Sequence, residues 1–590
     1  MRVHKGKALI AGIAAIALGL TACSSSGGGN TNPSNSSSSG NSNPSTGTKG
    51  SGAFAACKTS PNDCNSGNAK PGGTIRYALE KTLAGWNINY SPSNVFDIGE
   101  VMNGILPSVF GANPDLKPFL NTDLMVSAEE TKTNPQTLVY KVKPNAVWSD
   151  GQPIGYEDFK YVWYFSDPAK CPKCGAASTA GYDRIASMTP SDNGKTITIT
   201  MKKPFSDWRY MFSNMLPGHI AAQHGYNGSP TGTNASFQWF DKTQPTWSGG
   251  PMIISNYQKD TSFTEKPNPR WYGKTKSTLD NLIFRIITDQ TQEAPALQNK
   301  EVDAIYPQPN TDVAQQVATM QGVQYWIGKG LQWEHFNLNE KNQFLSDKSL
   351  RKAIFTAINR NDVVQRTIGQ FVPGASTMGN HIYVPGQAGY QDNTTTAGLG
   401  MGDVAKAKQI LTQAGYKGVG SALQTPSGKT VTLRCTYSAG NAYRQTECEV
   451  MQNTLKQLGI NVTLKTTQDL SELGNGNFDI IVFAWVGTPF PVAGAQQIYT
   501  YSGGTFSAYT YNKDPQSDAL INQAVETTDT TKVQSLLNQA DKLLQQDCFE
   551  LPLYQKPTML AARTNLVNIR DNATSVGPPY NLQEWGVKAT

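Results

Sequence analysis

The chain is expected to fold as a mixed α/β protein of at least two lobes. Three observations carry that expectation. Strand and helix signals alternate over most of the length. The 590 residues exceed what a single apolar core organises, so two or three domains are expected. Repeats and long internal linkers are lacking in the body, so the lobes must share strands or be crossed by the chain more than once.

The N-terminus reads as export machinery. Arg2, His4, Lys5 and Lys7 precede an uninterrupted apolar stretch from Ala8 to Leu20. That stretch is shorter than the ~20 residues a spanning helix needs, which makes residues 1–22 a signal peptide. It ends Leu20-Thr21-Ala22-Cys23, the form of a lipobox, so Cys23 is the expected site of lipid attachment. From Ser24 to Gly52 every residue except Lys49 is Ser, Gly, Asn, Thr or Pro. Such a segment buries too little apolar surface to offset its ordering entropy, and residues 23–69 are expected to form a disordered tether. A coil of this kind spans ~30 Å. Two or more acyl chains on Cys23 would make attachment lasting. The expected location is the outer face of the cell membrane, in a bacterium of Gram-positive type.

The strands and helices follow in order. Thr74 to Ala78 follows a Gly pair, and Leu138 to Val142 alternates apolar with polar residues. Thr196 to Met201 alternates likewise, after the hairpin turn Asp192-Asn193-Gly194. Leu282–Ile287 and Asp479–Trp485 are more continuously apolar, as strands buried on both faces are. Behind Asp347, Leu350, Ala353, Ile354, Ala357 and Ile358 share one helical face. Val404 to Ala414 repeats that pattern up to Gly415, and Met451, Leu455 and Leu458 stop at Gly459 before a strand over Asn461–Lys465.

Charge and cysteines narrow the class. Removing Arg2, Lys5 and Lys7 with the leader takes three from the net +6 and leaves +3, with no long basic run, which disfavours nucleic acid as a partner. Outside the cytoplasm, cysteines are read as disulfides. Nearness in sequence pairs Cys57 with Cys64, Cys171 with Cys174, and Cys435 with Cys448. Cys548, beside the stripe Val533, Leu536, Leu537, Ala540 and Leu544, is left as a buried thiol. Cys171-Pro172-Lys173-Cys174 has neither a second Cys-x-x-Cys for zinc nor the strand and helix flanks of a redox pair.

Catalytic patterns are scarce. The five histidines form no spaced metal pair, and no Gly-x-Ser-x-Gly occurs. Ser349-Leu350-Arg351-Lys352 imitates a Ser-x-x-Lys, but Ser191-Asp192-Asn193 precedes it and no Lys-Thr-Gly follows, the reverse of the enzyme order. No enzyme activity, cofactor or metal is expected.

A series of landmarks then points to one family. Trp148-Ser149-Asp150-Gly151-Gln152-Pro153-Ile154 with Glu157-Asp158-Phe159 comes first. Gly250-Pro251-Met252-Ile253-Ile254 with Tyr257, and Asn268-Pro269-Arg270-Trp271-Tyr272-Gly273, follow. Next come Leu279-Asp280-Asn281, Phe284-Arg285, Ala296-Leu297-Gln298, Glu301-Val302-Asp303 and Phe336-Asn337. Then stand Leu350-Arg351-Lys352-Ala353 and Ala357-Ile358-Asn359-Arg360, Phe478-Asp479 with Trp485, and Leu551-Pro552-Leu553-Tyr554. In this order they resemble the family 5 solute-binding proteins of bacterial ABC importers, the oligopeptide- and dipeptide-binding lipoprotein class. The resemblance implies a two-lobed, periplasmic-binding-protein-like fold of type II with an accessory domain, and a hinge and ligand cleft between the lobes. By that analogy lobe I takes 70–95, 217–328 and 556–590, the accessory domain 96–216 and lobe II 329–555. The implied partners are a small solute, peptide first and oligosaccharide second, and ABC permease subunits, with the protein itself a monomer.

The ligand loop departs from the pattern. Peptide-binding members often carry an Asp three residues after the Trp of the late apolar strand, to pair with a peptide's amino group. Here that position after Trp485 is Thr488, followed by Pro489, Phe490 and Pro491. An ammonium buried without a carboxylate is costly, so either another acid replaces it or the ligand is uncharged there. The remaining cleft candidates are Trp333, His335, Tyr443, Arg444, Asn94, Tyr499 and Tyr501, since aromatic platforms with amide donors suit sugars and peptide backbones.

Overall fold

The computed structural model describes residues 54–467, 476–500 and 514–589. The leader, Cys23 and Tyr501 lie outside the described residues.

After β1 (Thr74–Leu79) the chain leaves to build a separate layer. A short hairpin, β2 (Phe110–Ala112) and β3 (Pro118–Leu120), precedes an antiparallel sheet of β4 (Met125–Thr133), β5 (Gln136–Val142), β6 (Ile185–Ser191) and β7 (Thr196–Met201). Its order is β4-β5-β7-β6. The β6–β7 turn is Asp192-Asn193-Gly194, all three with positive φ, a conformation Asn, Asp and Gly tolerate best. Trp148 is wholly buried and its indole donates to Asp158 Oδ1 (3.2 Å), which fixes the Ser-Asp-Gly turn against the helix Tyr156–Ser166.

The chain then returns to the main sheet through β8 (Met252–Gln258), β9 (Ser262–Pro267), β10 (Asn281–Ile286) and β11 (Ala304–Ile305). It continues in β12 (Val323–Leu338), β13 (Thr432–Ser438), β14 (Asn461–Thr467), β15 (Ile480–Val486) and β16 (Glu550–Arg563). The ten-stranded order is β14-β13-β15-β12-β16-β11-β1-β10-β9-β8. β12 and β16 run through both halves of this sheet. They pair from Val323–Arg563 to Lys329–Pro557, lose register, and resume at Trp333–Gln555. The ladder is interrupted there, as a bulge breaks the pairing and bends the strand.

Capping and burial explain the helices that carry the motifs. Asp347 accepts from the Ser349 amide (2.8 Å) and starts the helix Lys348–Ala357. Arg351 is buried, paired with Glu340 (2.6 Å) and donating to Asp547 O. The Ser-x-x-Lys is therefore the first turn of a packed helix. The bonded cysteines are Cys57–Cys64, Cys171–Cys174 and Cys435–Cys448. Cys548 is a buried free thiol, pushed up to about 12 by burial.

The ordered body begins earlier than the sequence suggests. Residues 54–69 were expected in the tether, yet Phe54 is fully buried. Arg570 donates to Cys64 O (2.7 Å) and Ser66 Oγ (2.8 Å), and Asn65 donates to Ile569 O (3.0 Å). The physical reason is the first apolar residue after the polar tract together with a disulfide that shortens the strap behind it.

Candidate functional site

Trp333 of β12 stands directly opposite Trp485 of β15, so both side chains emerge on one face beside the irregular stretch of β12. Leu331, Trp333, Met378 and Val384 form a small apolar cluster there, with Trp485 and Tyr390 against it. Leu116 from the β2–β3 turn and Ala573 from beyond β16 lean onto the same cluster. The floor is thus shared by the two halves of the molecule.

Trp485 is held from below. Its Nε1 donates to Glu550 Oε2 (2.8 Å), and Tyr499 OH donates to Glu550 Oε1 (2.6 Å). His335 stacks under the indole at 5.6 Å and 13°. Burial holds the His335 imidazole below its ordinary value, only partly offset by Glu550 and Glu334, so it is neutral at pH 7. His335, Tyr499 and Trp333 are all buried around Trp485. Trp485 itself is half-buried at the end of its strand.

Thr488 spends its hydroxyl inside the loop. Oγ1 donates to Phe490 O (2.8 Å) and accepts from Phe490 N (3.0 Å), while its carbonyl accepts from Gln387 (2.7 Å). No residue from Val486 to Pro491 is charged. On the other face of the sheet, Tyr443 OH accepts from Thr311 N (3.0 Å) and stacks on Phe371. This is a contact between the two halves. Arg444 and Lys556 both reach Glu334 Oε1, at 3.0 and 3.4 Å. Burial opposes ionisation of Glu334, but these two cations outweigh it and hold the carboxyl below its usual range.

Asn94 is placed apart from the tryptophans. It is exposed and lines a cavity of about 60 Å³ with Asn89, Ser178, Tyr210, Ser213 and Asn214. The cavity wall is polar and carries no ionisable carboxylate or ammonium. Tyr210 links it to the Thr488 loop, because its ring lies 5.5 Å from that of Phe490. Glu550, Leu116 and Ala573 were not legible as site residues. Only Glu550 carried a signal, an acid opening the apolar run Leu551-Pro552-Leu553. Among the described residues no group of three or more His, Cys, Asp or Glu could hold a metal.

Two halves joined by long shared strands, with an aromatic floor between them, define a solute-binding protein of the type II periplasmic-binding class. Residues 120–508 match the bacterial extracellular solute-binding proteins, family 5 (middle region), and the chain belongs to that family. It is 31% identical over 507 residues to the oligopeptide-binding protein OppA of Mycobacterium tuberculosis, covering 84% of this chain and 82% of the relative. The structure is similar to the periplasmic EDTA-binding protein EppA, with a TM-score of 0.86 and 35% identity over 90% of this chain and 99% of that one. The oligopeptide-binding AppA of Bacillus subtilis, solved with a nonapeptide, shares the fold at a TM-score of 0.69 and 20% identity, over 88% and 100% of the two chains. No helix of the described residues is long and apolar enough to cross a membrane.

Proposed function

We propose that the chain captures a peptide or a related solute outside the cytoplasm and hands it to the permease of an ABC importer, by binding and without turnover. The observation that carries this reading is the half-buried Trp485, seated on an apolar cluster around Trp333 to which both halves contribute. A platform of that kind grips a solute only when the halves meet, which couples capture to closure. The 31% identity to OppA favours peptide. Lobe I would comprise 70–95, 217–328 and 556–590, the accessory domain 96–216 and lobe II 329–555.

The charge-free loop around Thr488 favours a second reading. The solute is uncharged where a peptide would present its amine, as an oligosaccharide or a blocked peptide is. A sensing receptor would use the same site. A thermal-shift panel of free peptides, N-acetylated peptides, oligosaccharides and metal chelates separates these readings. A solute at 100 times its dissociation constant adds ~2.7 kcal/mol of stability. A shift with free peptides that acetylation abolishes would identify an amine anchor elsewhere in the cleft. A shift with sugars or blocked peptides alone would assign the change of ligand class to Thr488. No shift with any of them would count against the peptide and sugar readings together.

Membrane attachment through Cys23 completes the proposal. Cys23→Ala is expected to move the protein from the membrane fraction to the medium, and retention at the membrane would refute the lipobox reading.

A further inference from the structure

The segment after β7 reaches across to the helices after β15. Asp207 Oδ2 accepts from both Val492 N and Ala493 N, each at 3.0 Å, at the N-terminus of the helix Pro491–Tyr499. Ser206 N donates to Val525 O (2.9 Å). Arg184 and Lys203 meet Glu526 Oε1 at 3.3 and 3.4 Å. Val492, Ala495, Ala524 and Val525 are buried in the same apolar cluster as Phe205 and Trp208.

Burial pushes the Asp207 carboxyl up to about 6, and the two amides at the positive end of the helix offset only part of that cost. That helix begins where the Thr488 loop ends. Tyr210, three residues beyond Asp207, touches Phe490 of that loop and also lines the neutral cavity with Asn94.

We propose that Asp207 is a positioning residue, clasping the Pro491–Tyr499 helix across the cleft so that the Thr488 loop is held over the solute floor. The clasp matters to transport only if the cleft between the halves is the solute site, so its test uses no solute and stands apart from the ligand question.

In the full chain without solute, hydrogen exchange of the Val492, Ala493 and Ser206 amides is measured together with the radius of gyration. Asp207→Ala is expected to speed exchange at all three amides by roughly tenfold or more, as a sub-global opening does, and to enlarge the radius of gyration. Asp207→Asn keeps an acceptor oxygen and is expected to restore most of the protection. The Ser206 amide is the decisive readout, because its own acceptor, Val525 O, is untouched. Faster exchange at Val492 and Ala493 alone, with Ser206 and the radius unchanged, would make Asp207 a local helix cap and overturn the proposal. Glu526→Lys, at an exposed position, is the second variant should Asp207→Ala fail to fold. It sets Arg184 and Lys203 against a like charge, and wild-type exchange at Ser206 in that variant would overturn the clasp as well.

Discussion

Trp485 has a single polar atom, and Glu550 takes it. The indole is therefore aimed before any solute arrives, which is how a binding anchor avoids an ordering cost. Trp485→Ala is expected to weaken solute binding by ~3 kcal/mol in titration calorimetry if the ring is a central anchor. Wild-type affinity would return Trp485 to the packing around Trp333. Glu550→Gln keeps the shape but leaves one acceptor oxygen where Trp485 and Tyr499 each donate to their own, and a smaller loss of ~2 kcal/mol is expected. Glu265 is a different kind of buried acid. Neither of its carboxyl oxygens has a hydrogen-bond partner, and burial raises it well above the usual carboxylate range. The raised value means that its contribution to stability is complete below the unfolded pKa of ~4.3 and is lost as pH climbs towards the folded value. Urea midpoints from pH 4 to 8 should fall more steeply for the wild type than for Glu265→Gln, and parallel profiles would show that the acid is paired.

At the scale of elements, the Cys435–Cys448 bond ties β13 to the helix Ala442–Lys456, which carries Tyr443 and Arg444 at its start. Replacing both cysteines with Ala is expected to lower stability by ~3 kcal/mol in thermal melts and to loosen the Tyr443–Thr311 contact. The helices and most strands could be read from the sequence because their signals are local: caps at Asp347, stops at Gly415 and Gly459, alternation in β5 and β7. What could not be read depends on distance along the chain. Glu550 meets Trp485 from 65 residues away, and the partner of Asp207 is Val492, 285 residues on. No periodicity reports such pairs. β12 belongs with these: Trp333 and His335 stand out in the sequence only as cleft candidates, and the 16-residue strand that carries them, running through both halves of the sheet, follows from its pairing with β16. Tyr499 shows the converse. Its place after the Thr488 loop suggested the cleft, whereas its hydroxyl is committed to Glu550.

At the scale of the molecule, the strap at 54–69 changes where the protein starts. A chain beginning at residue 70 loses Phe54, the Cys57–Cys64 bond and the partners of Arg570, and its melting temperature is expected to fall by roughly 5 °C relative to one beginning at residue 52. Equal melting temperatures would mean that the strap is ornamental to the fold. The strap is also riveted to one side. Its hydrogen bonds run to Ile569, Asn568 and Arg570, to Gln324 near the start of β12, and through Asn62 to Asp115. All of these lie on the side of the β12 irregularity that carries β1 and β10, or in the layer attached to it. Were the chain held through Cys23 as proposed, a pull on its N-terminus would load a single jaw, as a vice is bolted to a bench by its fixed side, and would leave the jaw that bears Trp485 unloaded.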